Sequence, residues 1–319
     1  MINKILRYCS SLLSFYSKNN LNDLKINHKI ISENLRTELK EFNLSKSSKL
    51  KTHKIFSKKV HDLIMNNKTI NFLRNTYVQN IFFVHNRLFI FNELRELQRD
   101  KDKWPLWKKL LMENGVGDPV RYFLYPKSSG NRIRQVYHLK KYFDYSHINL
   151  FEKKYILEIG GGYGCMAQIF KKINNNCTYV IFDTIEVNFL QYYYLQMNKI
   201  PVVMNKIETG KVCLINNLIM IEKFNNSIAK NKSSLFIANW SISEMPKKLR
   251  DNILYKITNF NNSIISFQEK FENIDNMNYF INYKKKIKNK CLVKIEKLEH
   301  YKKSFFNKSN HFYFFSKDK

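Results

Sequence analysis

The sequence predicts an α/β fold: a mostly parallel sheet with helices on both faces, a reversed pair of strands at one edge, and a helical region in front of it. Three observations carry this. From Lys154 onward short apolar runs alternate with amphipathic segments, the strand–helix–strand rhythm of a parallel sheet covered on both sides. Near the end, Val293 and Ile295 alternate with Lys294 and Glu296, and His311–Phe315 is a strongly aromatic run. These two segments have no long helix between them, which suits an antiparallel pair. Residues 1–115, by contrast, show helical spacing: Ile31, Leu35, Leu39 and Phe42, then Val60, Leu63 and Ile64.

Taken in order, Met1–Ser17 lacks the clean apolar stretch and small-residue cleavage site of a signal peptide. Leu44–Lys51 is Ser/Lys-rich and reads as a linker. Ile81–Phe91 is too short and, with His85, Asn86 and Arg87, too polar to span a bilayer, so it reads as a buried helix. Trp104-Pro105 opens another helix, and Gly115-Val-Gly117-Asp118-Pro119 breaks it. A helix is predicted from about Arg132 to Phe143 with Asn131 as its N-cap. Strands follow at Tyr155–Ile159, Tyr179–Phe182, Pro201–Met204, Leu235–Ala238 and Ile264–Phe267, with helices through Met166–Ile173, Val187–Met197 and Leu249–Ile257. The expected division is a helical region over 1–115 and an α/β domain over 116–319, with its core from about residue 150.

The formal net charge is +29, yet only ten of the 55 basic residues are Arg. Nucleic-acid and phosphate sites favour Arg for its two-pronged fork. A surplus made of Lys and spread along the chain reads first as compositional drift, so no specific nucleic-acid partner is expected. Anionic sugars and peripheral contact with an anionic membrane stay compatible with it. Five widely spaced Cys, with no C-x-x-C, indicate neither a disulfide framework nor a zinc site and point to a reducing cytoplasm.

Four of the eight glycines fall within Gly160-Gly161-Gly162-Tyr163-Gly164, directly after a strand and opening a helix. Glycine permits the sharp turn and the close approach of a ligand to backbone. The helix start offers free N–H groups to a carboxylate. Glu158 stands at the strand end, placed for an ammonium group. Asp183 ends the next strand, 19 residues after Gly164, where such folds place an acid for ribose hydroxyls. S-adenosylmethionine and NAD both carry that ribose, and Gly162-Tyr-Gly164-Cys-Met-Ala167 also fits a dinucleotide turn. The acid two residues before the first Gly, the early start of the Gly run and the reversed strand pair favour the methyl donor.

The stretch Ile156–Gly164 resembles class I S-adenosylmethionine-dependent methyltransferases. Three further segments are similar to the sugar O-methyltransferase family: Ser128–Leu139, Phe182–Val187 with Gln191–Leu195, and Ala238–Pro246. The resemblance covers about residues 115–319. It implies a Rossmann-like sheet of strand order 3-2-1-4-5-7-6 with S-adenosylmethionine as cofactor. It implies methylation of a hydroxyl on a sugar or glycan acceptor: a surface polysaccharide, a glycolipid or a nucleotide-linked sugar.

Candidate cofactor residues are Glu158, Gly160, Gly161, Gly162, Tyr163, Gly164, Asp183, Asn239 and Ser241. Arg134, Tyr137 and Trp240 are candidates for substrate. A sugar hydroxyl needs a general base, and His138 and Glu244 are the candidates, ahead of His147, His300 and His311. The packing alternatives stand beside them: a satisfied core histidine for His138, a helix-start carboxylate for Glu244, and core packing for Tyr192-Tyr193-Tyr194. No carboxylate set suggests a metal, so metal-independent transfer is expected. Asn239 is followed by Trp240 and Ser241 rather than Pro-Pro-Tyr, against methylation of base amines. An RNA or protein methyltransferase using the basic surface is the second reading, an NAD-dependent enzyme the third, and a scaffold without catalysis the fourth.

Overall fold

The computed structural model describes residues 21–41, 51–66, 68–82, 89–228, 233–299 and 310–319. The readings of Met1–Ser17, Cys9, residues 44–50, His85-Asn86-Arg87 and His300 lie outside the described residues. Two compact units alternate along the chain: Met1–Tyr137 with Gly162–Lys172 and Thr184–Met204, and His138–Gly161 with Ile173–Asp183 and Asn205–Lys319.

The first unit is built on helices. Leu21–Glu41 and Lys51–Met65 both pack on Ile185–Met197. Of the predicted stripe, Leu35, Leu39, Val60, Leu63 and Ile64 are buried and Ile31 is half-buried, while Phe42 lies outside the described residues, so the 3.6-residue period marked the packed face. Tyr193 and Tyr194 are core residues, and Tyr193 Oη lies 2.8 Å from His28 Nδ1. Of the helix expected through Ile81–Phe91, residues 83–88 lie outside the described residues. Ile81 closes one helix (Thr76–Ile81), Phe82 follows as its C-cap, and Phe89 opens another (Phe89–Arg99). The Gly117 break is real: Gly117 and Asp118 both have positive φ, and Arg74 pairs with Asp118.

The helix expected from Arg132 starts earlier, at Gly130, and runs to Ser146. Asn131 is inside it, and its amide donates to Tyr163 Oη at 3.0 Å. The capping acceptor is Ser129 Oγ, which takes the Arg132 N–H. His147, with φ 54°, ends the helix in the left-handed conformation common there.

The second unit carries the sheet. Its strands are β1 (Tyr155–Ile159), β2 (Thr178–Phe182), β3 (Val212–Ile215), β4 (Ser234–Asn239), β5 (Ser263–Gln268), β6 (Cys291–Lys297) and β7 (His311–Asp318). Their order across the sheet is β3-β2-β1-β4-β5-β7-β6. The first five run parallel, and β7 enters antiparallel between β5 and β6. This is the order that the resemblance implies. The third place is held by Val212–Ile215, a fully buried run of four that sequence reading passed over. The strand read from Pro201–Met204 is present as Val202–Met204 in the first unit.

β7 shows how aromatic alternation builds the layers. His311, Tyr313 and Phe315 face the helix segment His138–Ser146: Tyr313 Oη meets His138, and Phe315 stacks on Tyr145 at 5.4 Å. Phe312 and Phe314 face the other way. Phe314 packs on Phe280 of the helix Asn276–Ile287, as does Phe267 of β5. That helix ends in the exposed Lys284-Lys285-Lys286, the solvated end read from the sequence. Cys165, Cys177, Cys213 and Cys291 are buried and form no disulfide among the described residues. Among the described residues, no helix is long and apolar enough to cross a membrane.

One buried acid in the first unit makes stability depend on pH. Burial raises the Glu93 carboxyl from 4.5 to about 7, against the pull of Arg134. Its favourable contribution is complete below 4.5 and is lost as pH climbs to about 7. Glu93→Gln is therefore expected to leave stability near pH 5 almost unchanged and to raise it by about 2 kcal/mol near pH 8, read by urea denaturation at both pH values.

Candidate functional site

Because β1, β2, β4 and β5 are parallel, their carboxyl ends lie along one edge, and β7, being antiparallel, begins there. Crevices at such edges are where ligands bind in open α/β sheets. The second unit gathers Glu158, Gly160, Asp183, Asn239, Gln268 and His311 along this edge.

Glu158 is 3% exposed, and its carboxyl accepts from Tyr179 Oη at 2.8 Å. Burial pushes it up to about 8, the nearby charge of Asp183 adds to this, and the Tyr179 hydrogen bond opposes it. Asp183 itself is half-buried at the end of β2, its N–H bonded to Ile215 O of β3. A buried carboxyl starved of positive charge, with a second carboxylate beyond it, is a donor set that suits a cationic ligand.

The loop after β1 is held by close packing. Gly160 has φ 70°, and its N–H donates to Phe182 O at 2.9 Å. A Cβ there would overlap the side chain of Ser241, and one at Gly161 would come within 2.7 Å of Ile181 Cγ2. Ser241 uses the room at Gly160 to donate its hydroxyl to Ile159 O. Ser241 thus acts on the loop rather than offering its hydroxyl outward, and two glycines serve packing as well as ligand approach.

Ser241 comes from the loop after β4, which turns through Trp240 at φ 62°, a left-handed conformation costing on the order of 1–3 kcal/mol for a bulky residue. Its indole N–H donates to His311 Nδ1 at 2.8 Å. Asn239 Oδ1 accepts from Ser266 Oγ at 3.0 Å. Glu244, half-buried, accepts from Gln268 Nε2 at 3.1 Å, and burial raises its proton affinity above the usual carboxylate range. The Ser243 hydroxyl lies 2.6 Å from Trp240 O and 2.9 Å from Gln268 Oε1.

Two residues that sequence reading missed hold this loop in place. Gln268, the last residue of β5, binds both Ser243 and Glu244. Arg250, fully buried, donates to Ser243 O at 2.8 Å and Met245 O at 3.3 Å, on either side of Glu244, and to Asn276 Oδ1 at 2.9 Å. An Arg in the middle of a helix, in a chain that otherwise uses Lys, was the available signal.

His138 is fully buried, with Nδ1 2.6 Å from Tyr313 Oη and its ring 5.2 Å from that of Trp240. It is a core histidine with a hydroxyl partner, so Glu244 is the more accessible of the two base candidates. Among the described residues, no group of three or more His, Cys, Asp or Glu gathers to hold a metal ion.

The remaining candidates belong to the first unit. Gly162 and Gly164 have φ 57° and 93°. The Gly162 carbonyl accepts from Gln191 Nε2 at 2.9 Å, a third holding residue missed from sequence. Tyr163 is 1% exposed and wedged among Phe72, Phe82 and Tyr194. Arg134 is buried, 5.0 Å over the Phe89 ring, with its charge acting on Glu93. Tyr137 donates to Glu96 at 3.2 Å.

No protein-family model matches the chain, and no curated protein matches it by sequence. Among solved structures it is similar to the Thermoplasma acidophilum 1320 protein at 10% identity and TM-score 0.39, covering 68% of this chain and 97% of that one. It is similar to the O-methyltransferase from Bacillus cereus in complex with SAH at 8% and 0.38, covering 76% and 96%. The precorrin-6y methyltransferase from Geobacter metallireducens is similar at 9% and 0.34, covering 54% and 87%.

The Gly160–Ser241 contact is directly testable. Gly160→Ala should destabilise the protein by about 2–4 kcal/mol, from positive φ and overlap together, measured by urea denaturation. Adding Ser241→Gly should recover part of that loss. A double variant no better than Gly160→Ala would show that the strain comes from backbone conformation alone.

Proposed function

We propose that this protein is an S-adenosylmethionine-dependent methyltransferase that acts on a hydroxyl of a sugar or glycan acceptor. The observation that supports it best is the edge of the second unit's sheet. A buried carboxyl near the end of β1 and an acid after β2 stand on the same edge as a half-buried carboxylate after β4 whose proton affinity is raised. The strand order, with β7 reversed between β5 and β6, supports a methyltransferase over a dinucleotide enzyme. The acceptor class rests on the resemblance of Ser128–Leu139, Phe182–Val187 with Gln191–Leu195, and Ala238–Pro246.

The residues present fit the cofactor's chemistry. Glu158 would meet its ammonium, Asp183 its ribose hydroxyls, and the glycine loop its carboxylate. When bound, the cofactor supplies an electrophilic methyl group. Glu244 then accepts the proton that the acceptor hydroxyl loses as its oxygen attacks. Burial strengthens Glu244 as a base, while Gln268 and the Arg250-held carbonyls fix its direction.

Glu244→Gln should lower the methylation rate about a hundredfold or more while leaving the affinity for S-adenosylhomocysteine unchanged, with glycan methylation followed by mass spectrometry. An unaltered rate would remove Glu244 from the reaction. Tight RNA binding that falls steeply with salt, together with RNA methylation, would favour the RNA reading instead.

Affinity for S-adenosylhomocysteine should also depend on pH. Glu158 is protonated in the cofactor-free protein below about 8, and an ammonium partner binds its ionised form. Affinity should therefore rise with pH, by up to about tenfold per unit, and level off above about 8. Calorimetry should show proton release near neutral pH, and Glu158→Gln should flatten the profile while weakening binding.

A further inference from the structure

The loop after β4 has a feature that base catalysis leaves unexplained. Trp240 turns left-handed there, and its indole lies between two imidazoles, His138 at 5.2 Å and His311 at 6.1 Å between ring centroids. His138 is fixed by Tyr313 Oη at 2.6 Å. His311 receives the indole N–H on Nδ1 at 2.8 Å. An indole N–H can only donate, so Nδ1 of His311 carries a lone pair and the ring is neutral, with its hydrogen on Nε2.

Topology explains why this matters. His311 is the first residue of β7 and pairs with Gln268, the last residue of β5. Paired residues of antiparallel strands project to the same face, so His311 stands beside the side chain that holds Ser243 and Glu244. The Trp240 turn is followed at once by Ser241, which closes on Gly160, and three residues later by Glu244. One turn therefore sets both the loop after β1 and the carboxylate after β4.

We propose that His311 is a positioning residue of the methyl-transfer site: by accepting from Trp240, its Nδ1 holds the left-handed turn that seats Ser241 against Gly160 and Glu244 beside Gln268. This rests on the methyltransferase reading above. It gives β7 a task beyond closing the sheet, since the strand that reverses direction delivers the acceptor atom for the turn. Asn at position 311 keeps an acceptor near the place of Nδ1, whereas Gln carries its amide one bond further out.

The test compares His311→Asn, His311→Gln and Trp240→Phe in the full chain. With Trp104, Trp107 and Trp240 as its only tryptophans, the protein gives three indole N–H resonances, and Trp240→Phe identifies the one that matters. His311→Asn is expected to keep that resonance close to its native position and S-adenosylhomocysteine affinity within about twofold. His311→Gln and Trp240→Phe are each expected to weaken that affinity about tenfold, the scale of one lost buried hydrogen bond, and His311→Gln should shift the indole resonance. Native protein that binds no S-adenosylhomocysteine would overturn the methyltransferase reading and this inference with it. Native protein that binds, with all three variants binding as tightly or with Asn failing as Gln does, would overturn the inference alone.

Discussion

The contact on which the site depends is between a missing side chain and a small one. Gly160 has no Cβ, and Ser241 fills the space, donating to the carbonyl of Ile159. That single approach joins the loop after β1 to the loop after β4. A larger residue at either position would push the two loops apart. Protein interiors pack densely and yield little, so such a displacement is not absorbed locally.

From that contact the rest of the edge follows. The turn at Trp240 directs Ser241 inward, and the carbonyls beyond it are held by Arg250, which presents a fixed fork rather than the single point of a lysine. Gln268 completes the frame around Glu244. Each holding residue is buried and hydrogen-bonded, so the Glu244 carboxylate is held in one orientation. Glu158 differs: burial, rather than a fixed partner, pushes its carboxyl up to about 8.

In the first unit, buried polar residues do structural work. Arg134 and Tyr137, candidates for substrate contact in the sequence, each have protein partners, Phe89 and Glu93 for the one and Glu96 for the other. Tyr163 lies within the glycine motif but packs among aromatic rings. A side chain next to a motif in sequence is not thereby next to a ligand.

Much of this was legible in the residues themselves. Periodicity marked the buried faces of Leu21–Glu41 and Lys51–Met65, glycine spacing marked the loop after β1, and a run of aromatics marked β7, because each signal is written within a few consecutive positions. The four-residue β3 left too short a trace, and the cap of the helix from Gly130 went to Ser129 rather than Asn131 because Tyr163, 32 positions away, takes the Asn131 amide. The holding residues Arg250, Gln268 and Gln191, the pairing of His138 with Tyr313, and the grip of His311 on Trp240 depend on partners distant in the chain. Sequence thus determined most of the strands, helices and turns. Tertiary structure alone decided which polar groups meet, since burying a donor or acceptor obliges it to find a partner and only the fold determines which one is within reach.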